Sequence, residues 1–192
     1  MSDIERRALS AEIIVETRED KPPRLRGHAA LFNTLSEDLG GFREQIAPGA
    51  FAEAIGRDDV RLLINHEGLP LARSLSGTLS LSEDARGLAF EAELEESDPD
   101  VLRLLPKLSR GDVNQMSFGF SVKPGGQDWA KDDEGRTVRT LKKLRLFDVS
   151  VVTFPAYQQT DVALRELRDW EQSLRAPTPW KLMQALQAQA GI

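Results

Sequence analysis

The clearest structural signal in the chain is the run Gln115-Met116-Ser117-Phe118-Gly119-Phe120-Ser121-Val122. Large apolar residues alternate with small ones, so one face of a predicted strand points into a core and the other carries Ser117, Gly119 and Ser121. A glycine on this second face would leave room for a substrate backbone to approach. Strand-like patterns also occupy residues 12–17, 25–33, 60–66, 75–82, 88–95, 137–147 and 149–153. So many short strands favour a mainly β fold with a few flanking helices, closed or nearly closed into a barrel, because closure removes exposed sheet edges.

Three helices are predicted around these strands. The first covers residues 48–55, the second begins at an Asp98 N-cap with Pro99 in its first turn and ends at Gly111, and the third begins at Thr160. The residues predicted to face the core are Leu102, Leu105 and Leu108 in the second helix and Leu164, Leu167, Trp170 and Leu174 in the third. The last part of the chain, residues 166–192, is expected to be a helical or flexible tail.

The composition excludes several classes of chemistry. The 192 residues include no cysteine and two histidines, which rules out a disulfide scaffold, a thiolate zinc site, an iron–sulfur cluster, a cysteine nucleophile and a three-histidine metal site. A formal charge of −6, from 25 basic and 31 acidic side chains, argues against a nucleic-acid partner. No apolar run approaches the ~20 residues that cross a bilayer, and the charged first ten residues lack the apolar stretch of a signal peptide. We therefore expect no membrane partner and a cytoplasmic location.

A local charge contrast is visible in the second half of the chain. Residues 136–146 carry basic side chains and no acidic one, whereas residues 91–100 are rich in Glu and Asp. A basic run of this kind either docks an acidic partner or forms the solvated face of a sheet, and the second interpretation is favoured.

Nucleophilic catalysis without cysteine would need a serine or threonine, a histidine base and a carboxylate that orients the base. His28 shares its strand parity with Arg24 and Arg26, so we expect it on a solvated face. His66 shares its parity with Ile64 and ends an apolar strand face, where it is either a partly desolvated base or a hydrogen-bonded core histidine.

Ser117 and Asp148 complete the candidate set. Ser117 is either a nucleophile or a strand serine with a spare hydroxyl, and on its own the pattern favours the strand serine. Asp148 shares its parity with Leu144 and Leu146 on a predicted buried strand face, where it needs an imidazole N–H or a cationic partner. An ion pair with a nearby Lys or Arg is the alternative to a catalytic role.

Seven segments carry a family resemblance: Gly27-His28-Ala29-Ala30-Leu31-Phe32-Asn33, Glu44-Gln45-Ile46-Ala47-Pro48-Gly49-Ala50-Phe51, Leu63-Ile64-Asn65-His66-Glu67, Leu71-Ala72-Arg73, Ser76-Gly77-Thr78-Leu79, Met116-Ser117-Phe118-Gly119-Phe120 and Phe147-Asp148-Val149-Ser150-Val151-Val152-Thr153-Phe154-Pro155-Ala156. In this order, across about residues 24–165, they resemble the prohead (capsid-maturation) serine proteases of tailed bacteriophages. That family is related in fold to the herpesvirus assemblin proteases.

The resemblance implies a role for each candidate residue. Ser117 matches the nucleophile, His66 the catalytic histidine and Asp148 the acidic third member, a position that is often Glu in the family. Glu67 is the alternative for this third role. The resemblance implies no cofactor and no metal, and it identifies residues 1–165 as a protease domain.

The resemblance also implies a setting in virion assembly. A protease of this family works in the host cytoplasm inside the assembling procapsid, cleaves the scaffolding segment of the major capsid protein and then digests itself. The implied partners are the major capsid protein with its scaffolding segment and the portal and procapsid shell. We expect the scaffold on another chain and a docking or autoproteolytic role for the tail from Arg175. The oligomeric state is left open, and the alternative function is a catalytically silent barrel that assists capsid assembly.

Overall fold

The computed structural model describes residues 4–10, 13–18, 21–154 and 161–175. By its internal contacts the chain divides into two compact units, residues 1–158 and 159–192. The strands of the first unit are β1 (Glu5–Ser10), β2 (Ile13–Arg18), β3 (Lys21–Leu31), β4 (Arg43–Ile46), β5 (Arg61–Ile64), β6 (Glu67–Arg73), β7 (Leu79–Glu83), β8 (Gly87–Glu93), β9 (Gln115–Val122), β10 (Gln127–Lys131), β11 (Thr137–Leu141) and β12 (Leu144–Val152). Its helices are α1 (Ala52–Arg57) and α2 (Pro99–Arg110), and the second unit contains α3 (Asp161–Arg175).

The fold is mainly β with flanking helices, as expected, but its strands form three sheets. The orders are β1-β9-β12-β5-β6, β10-β11-β4 and β2-β3-β8-β7. Among the described residues no ladder joins β1 to β6, so the expected closed barrel is not seen. Residues 137–147, which we predicted as one strand, form two: the chain turns at Lys142 and Lys143, and β11 and β12 enter different sheets.

The basic run does not form a simple solvated face, because Arg139 is completely buried. Its guanidinium donates to Glu5 at 2.7 Å and to Glu44 at 3.0 Å. Arg7 binds the same two carboxylates, at 2.8 Å and 2.7 Å. These two arginines and two glutamates, which we call the buried ion cluster, link the charged strand β1 to strands β4 and β11. Strand β1 has no alternation of apolar and polar residues that would have predicted it.

Helix α2 confirms the predicted caps and corrects the predicted inner face. The Asp98 side chain accepts the N–H of Asp100, and Gly111 ends the helix with a φ of 79°, the left-handed conformation that suits glycine. The buried residues are Val101, Leu104 and Leu108, whereas Leu102 is exposed. Thr160 and the segment 180–192 lie outside the described residues.

Aromatic packing fixes strand β9 from the core side. The rings of Phe118 and Phe120 stack with centroids 5.0 Å apart, and Phe118 meets Phe51 edge-on at 5.6 Å. All three side chains are at least 99% buried, and each such burial stabilises the fold by about 1.5–3 kcal/mol. Because side chains alternate along a strand, this packing holds Ser117 and Gly119 on the opposite face.

Candidate active site

Ser117 lies near the centre of the five-stranded sheet, on the predicted face of β9. Its Cα partners are Ala8 on β1 and Ser150 on β12, both in antiparallel register. The residue has no exposed surface. A serine hydroxyl in this position needs a hydrogen-bond partner.

Asp148 reaches the face of Ser117 through a β-bulge. Leu146 pairs with Phe120, but the next partner of β9, Gly119, pairs with Asp148, so Phe147 is an extra residue in β12. An inserted residue reverses the side-chain alternation beyond it. The predicted burial of Asp148 is confirmed, but the predicted sharing of a face with Leu144 and Leu146 is wrong, because the bulge separates them.

Gly119 makes space for the Asp148 carboxylate. A Cβ atom at position 119 would lie 2.3 Å from Asp148 Oδ2 and 3.2 Å from its Cγ. Any side chain there would therefore displace the carboxylate. The room that we assigned to a substrate backbone is occupied by this side chain.

His66 lies in a turn, not at the end of a strand face as its parity predicted. Asn65 and His66 form the two-residue connection between β5 and β6 and have φ values of 54° and 62°. Positive φ at both positions is the pattern of a type I′ hairpin turn, and asparagine and histidine are among the non-glycine residues that tolerate it best. Because of this turn, the direction of the His66 side chain does not follow the alternation of strand β5.

Asn65 ties this turn to the end of β12. Its backbone N–H donates to the carbonyl of Val151 at 2.9 Å, and its side-chain oxygen accepts the backbone N–H of Thr153 at 2.9 Å. Its side-chain amide also donates to Thr153 Oγ1 at 3.3 Å. These bonds hold the turn beside the strand that carries Asp148.

The imidazole of His66 connects the other two predicted residues. Its Nδ1 lies 2.6 Å from Asp148 Oδ1, and its Nε2 lies 2.7 Å from Ser117 Oγ. An ionised carboxylate only accepts, so Nδ1 carries the proton and Nε2 accepts the Ser117 hydroxyl proton. The three residues therefore form one hydrogen-bonded chain, and the side chain of His66 is only 5% exposed.

Ser150 is a fourth polar residue on this face, and the sequence analysis did not single it out. Its hydroxyl donates to Asp148 Oδ1 at 2.7 Å and lies 3.2 Å from His66 Nδ1. The residue is completely buried. Ser150 lies two positions after Asp148 in a predicted strand, and this spacing could have placed it on the same face as Asp148.

The other candidates lie elsewhere. Glu67 is exposed. His28 is on the outer face of β3, as predicted, where its Nε2 lies 2.9 Å from Asp84 Oδ2. The imidazole, together with the backbone N–H groups of Arg86 and Gly87, lowers the pKa of Asp84 from 3.8 to about 2. The second histidine therefore pairs with a turn carboxylate remote in sequence from Ser117.

A groove of about 520 Å³ lies beside the His66 turn. One wall comes from residues on either side of His66, including Ile64 and Leu69, and from Thr153 at the end of β12. The other wall is the face of α2 that carries Leu104 and Lys107. Its lining combines apolar side chains with the charged side chains of Glu67, Asp100, Arg103 and Lys107, which suits a peptide whose side chains are partly apolar.

Within the described ranges, no cluster of three or more His, Asp or Glu side chains has the arrangement of a metal site. No helix in the same part of the chain combines the length and the hydropathy that crossing a membrane requires.

Comparisons with known proteins find similarity to phage proteases. The model of the family described as caudovirus prohead serine protease matches residues 11–173. The prohead protease of Enterobacteria phage HK97 is 31% identical over 173 residues, a region that covers 85% of this chain and 69% of the phage protein. No solved structure gives a significant match.

Proposed function

This chain belongs to the caudovirus prohead serine protease family, and we propose that it is an endopeptidase with Ser117 as nucleophile, His66 as general base and Asp148 as the orienting carboxylate. The observation that carries this proposal is the pair of short contacts on one imidazole, 2.7 Å to Ser117 Oγ and 2.6 Å to Asp148 Oδ1. A serine that donates to a histidine held by a carboxylate is the arrangement that activates a hydroxyl for acyl transfer.

The chemical steps follow from this arrangement. Ser117 Oγ attacks a peptide carbonyl carbon while its proton passes to His66 Nε2. The carbon–nitrogen bond then breaks, and the same proton passes to the leaving amine, which leaves an ester on Ser117. Water attacks the ester, His66 again takes and returns the proton, and a carboxylic acid is released. Asp148 stays ionised throughout and stabilises the imidazolium.

Burial of the nucleophile adds a step before chemistry. Ser117 has no exposed surface, so a peptide carbonyl reaches Oγ only after a neighbouring group moves aside. Ile4, whose Cγ2 would lie 3.6 Å from a Cβ at Gly119, is one such neighbour on the same face. Movements of this kind gate many enzymes without changing their chemistry.

For the substrate, we propose the scaffolding segment of the phage major capsid protein, cleaved inside the procapsid in the host cytoplasm, with the portal and shell as surrounding partners. The family description and the name of the phage HK97 relative support this setting. A part of the substrate peptide beyond the scissile bond would lie in the groove beside the His66 turn, whose lining includes none of Ser117, His66 and Asp148. Self-cleavage would follow, with the tail from Arg175 as a candidate target; residues 176–192 lie outside the described part of the chain.

The decisive experiment is co-expression with the cognate major capsid protein. The wild-type chain should shorten the capsid protein, and Ser117→Ala and His66→Ala should each reduce the rate by about 10⁴-fold or more. Mass spectrometry of the products gives the cleaved bond. Cleavage by Ser117→Ala at the wild-type rate would refute the proposal. A folded wild-type chain that leaves the capsid protein intact but enters the procapsid would favour an assembly partner instead.

A further inference from the structure

The Ser150 hydroxyl touches two members of the hydrogen-bonded chain at once. It lies 2.7 Å from Asp148 Oδ1 and 3.2 Å from His66 Nδ1, and it is completely buried. The register of β9 and β12 places Ser150 directly opposite Ser117. Ser150 is therefore close to the proposed catalytic residues but takes no part in the hydrogen bond between Ser117 Oγ and His66 Nε2.

Counting protons defines what this hydroxyl does. His66 Nδ1 carries a proton, so it cannot accept one, and the single proton of Ser150 goes to Asp148 Oδ1. A lone pair of Ser150 then faces His66 Nδ1–H as a second, weaker acceptor beside the carboxylate. Both contacts favour the tautomer in which Nε2 is free to accept the proton of Ser117.

The hydroxyl also restricts how the carboxylate can turn. Asp148 Oδ1 receives two donors, from His66 and Ser150, while Oδ2 lies against the backbone of Gly119, where a Cβ would be only 2.3 Å away. If the Ser150 hydroxyl is removed, Asp148 Oδ1 loses one of these two hydrogen bonds and keeps the one from His66. A buried oxygen that loses a donor is less stable in its position, so the carboxylate group can rotate toward another donor.

We propose that Ser150 is a positioning residue that fixes the orientation of Asp148 and the tautomer of His66 during acyl transfer. This role rests on the proposed endopeptidase function. Ser150 does not contact the peptide; it acts through the two residues that activate Ser117.

A fluorophosphonate probe tests this role without a known peptide substrate. The Ser117 oxygen displaces fluoride from phosphorus, its proton passes to His66, and the added mass of the intact chain reports the rate. Ser150→Ala should lower the maximum labelling rate about 10–100-fold, with a much smaller change in the half-saturating probe concentration, because misplacement of a catalytic group by about 1 Å has effects of this size. Ser150→Cys keeps the shape of the side chain, with a slightly larger atom that is a weak donor, and it should show a similar loss.

Two further measurements separate positioning from stability. Val149→Ala creates a cavity at the neighbouring buried residue, on the opposite face of β12, so its melting temperature should fall at least as far as that of Ser150→Ala while its labelling rate stays near wild type. The NMR signal of the His66 Nδ1 proton should be slow to exchange in wild type and in Val149→Ala and broadened in Ser150→Ala.

The outcomes distinguish this inference from the function on which it rests. Labelling of Ser117→Ala at the wild-type rate would refute the catalytic assignment. Absence of labelling in Ser117→Ala, with Ser150→Ala at the wild-type rate and an unchanged His66 signal, would refute only the positioning role. A labelling rate in Val149→Ala that falls as far as in Ser150→Ala would also overturn it, since stability alone would then explain the loss.

Discussion

Gly119 and Asp148 are direct partners in the β9–β12 ladder, and the Asp148 carboxylate fills the space that a side chain at position 119 would need. The distance of 2.3 Å between a Cβ at position 119 and Asp148 Oδ2 is far below van der Waals contact. Glycine is usually disfavoured in the interior of a strand. At position 119 it is needed because the Asp148 carboxylate leaves no room for a side chain, and not because the backbone turns there.

Gly119→Ala should therefore separate Asp148 from His66. We expect a loss of about 10²-fold in the rate of Ser117 labelling and about 1–3 kcal/mol in the free energy of unfolding, because the methyl group overpacks a buried site. Gly56→Ala is the control: nothing lies within 4 Å of a Cβ there, and alanine in helix α1 should stabilise by about 0.5–1 kcal/mol. Equal labelling rates in the two variants would contradict this prediction.

Asn65 should matter for both the turn and its attachment. Asn65→Gly keeps a backbone suited to the φ of 54° and loses only the bonds to Thr153, whereas Asn65→Val also loses the backbone preference. Urea unfolding should show that the valine variant is less stable than the glycine variant by about 1–2 kcal/mol. The order of labelling rates should be wild type, then glycine, then valine; a valine variant as active as wild type would argue against a role for this turn in placing His66.

Leu69 offers a test of the groove that leaves the fold intact. Its side chain lines the groove and is 82% exposed, so Leu69→Asp should cost little stability. It should raise KM for a capsid-derived peptide about tenfold or more while kcat changes less. Leu75→Asp, also at an exposed leucine but outside the groove, is the matched control and should behave as wild type.

Asp84 should contribute an acid-sensitive part of the stability. Its folded-state pKa of about 2 lies below the ordinary 3.8, so the contribution is fully present above about pH 4 and is lost as the pH falls through about 2. Urea unfolding of wild type and Asp84→Asn should differ most near neutral pH and converge as the pH approaches 2. Asp133→Asn, at an exposed carboxylate in the β10–β11 turn, is the comparison; a wild-type advantage over Asp84→Asn that is constant across the range would contradict the linkage.

The loss of one member of the buried ion cluster should strongly destabilise the fold. Arg139→Met leaves Glu5 and Glu44 buried with Arg7 as the remaining cation of the cluster, and we expect a loss of about 3–5 kcal/mol in the free energy of unfolding. The equivalent Arg136→Met variant, which removes the more exposed pair with Asp132, should lose far less. Equal losses in the two variants would show that burial does not determine how much these ion pairs contribute to the free energy of unfolding.

The sequence predicted the parts of this protein that depend on local patterns. Strand β9 and both caps of α2 followed from alternation and capping chemistry, and the family resemblance supplied the residues that the fold brings together. The face of Asp148 could not be predicted from parity, because the bulge at Phe147 is defined only by the partner strand. Strand β1 could not be predicted because its charged residues are buried by Glu44 and Arg139, which are distant in the sequence.

The parallel pairing of β5 with β12 has a consequence for synthesis. His66 and Asp148 are 82 positions apart, and the N–H of Asn65 bonds to the carbonyl of Val151. A ribosome-bound chain therefore exposes the segment with the imidazole, and later the segment with the nucleophile, before the strand that unites them has been made. Pairings over such distances form late because the intervening loop must close first. We therefore expect the proposed nucleophile, base and carboxylate to come together only late in folding, so a nascent chain that lacks β12 would not yet have the proposed site.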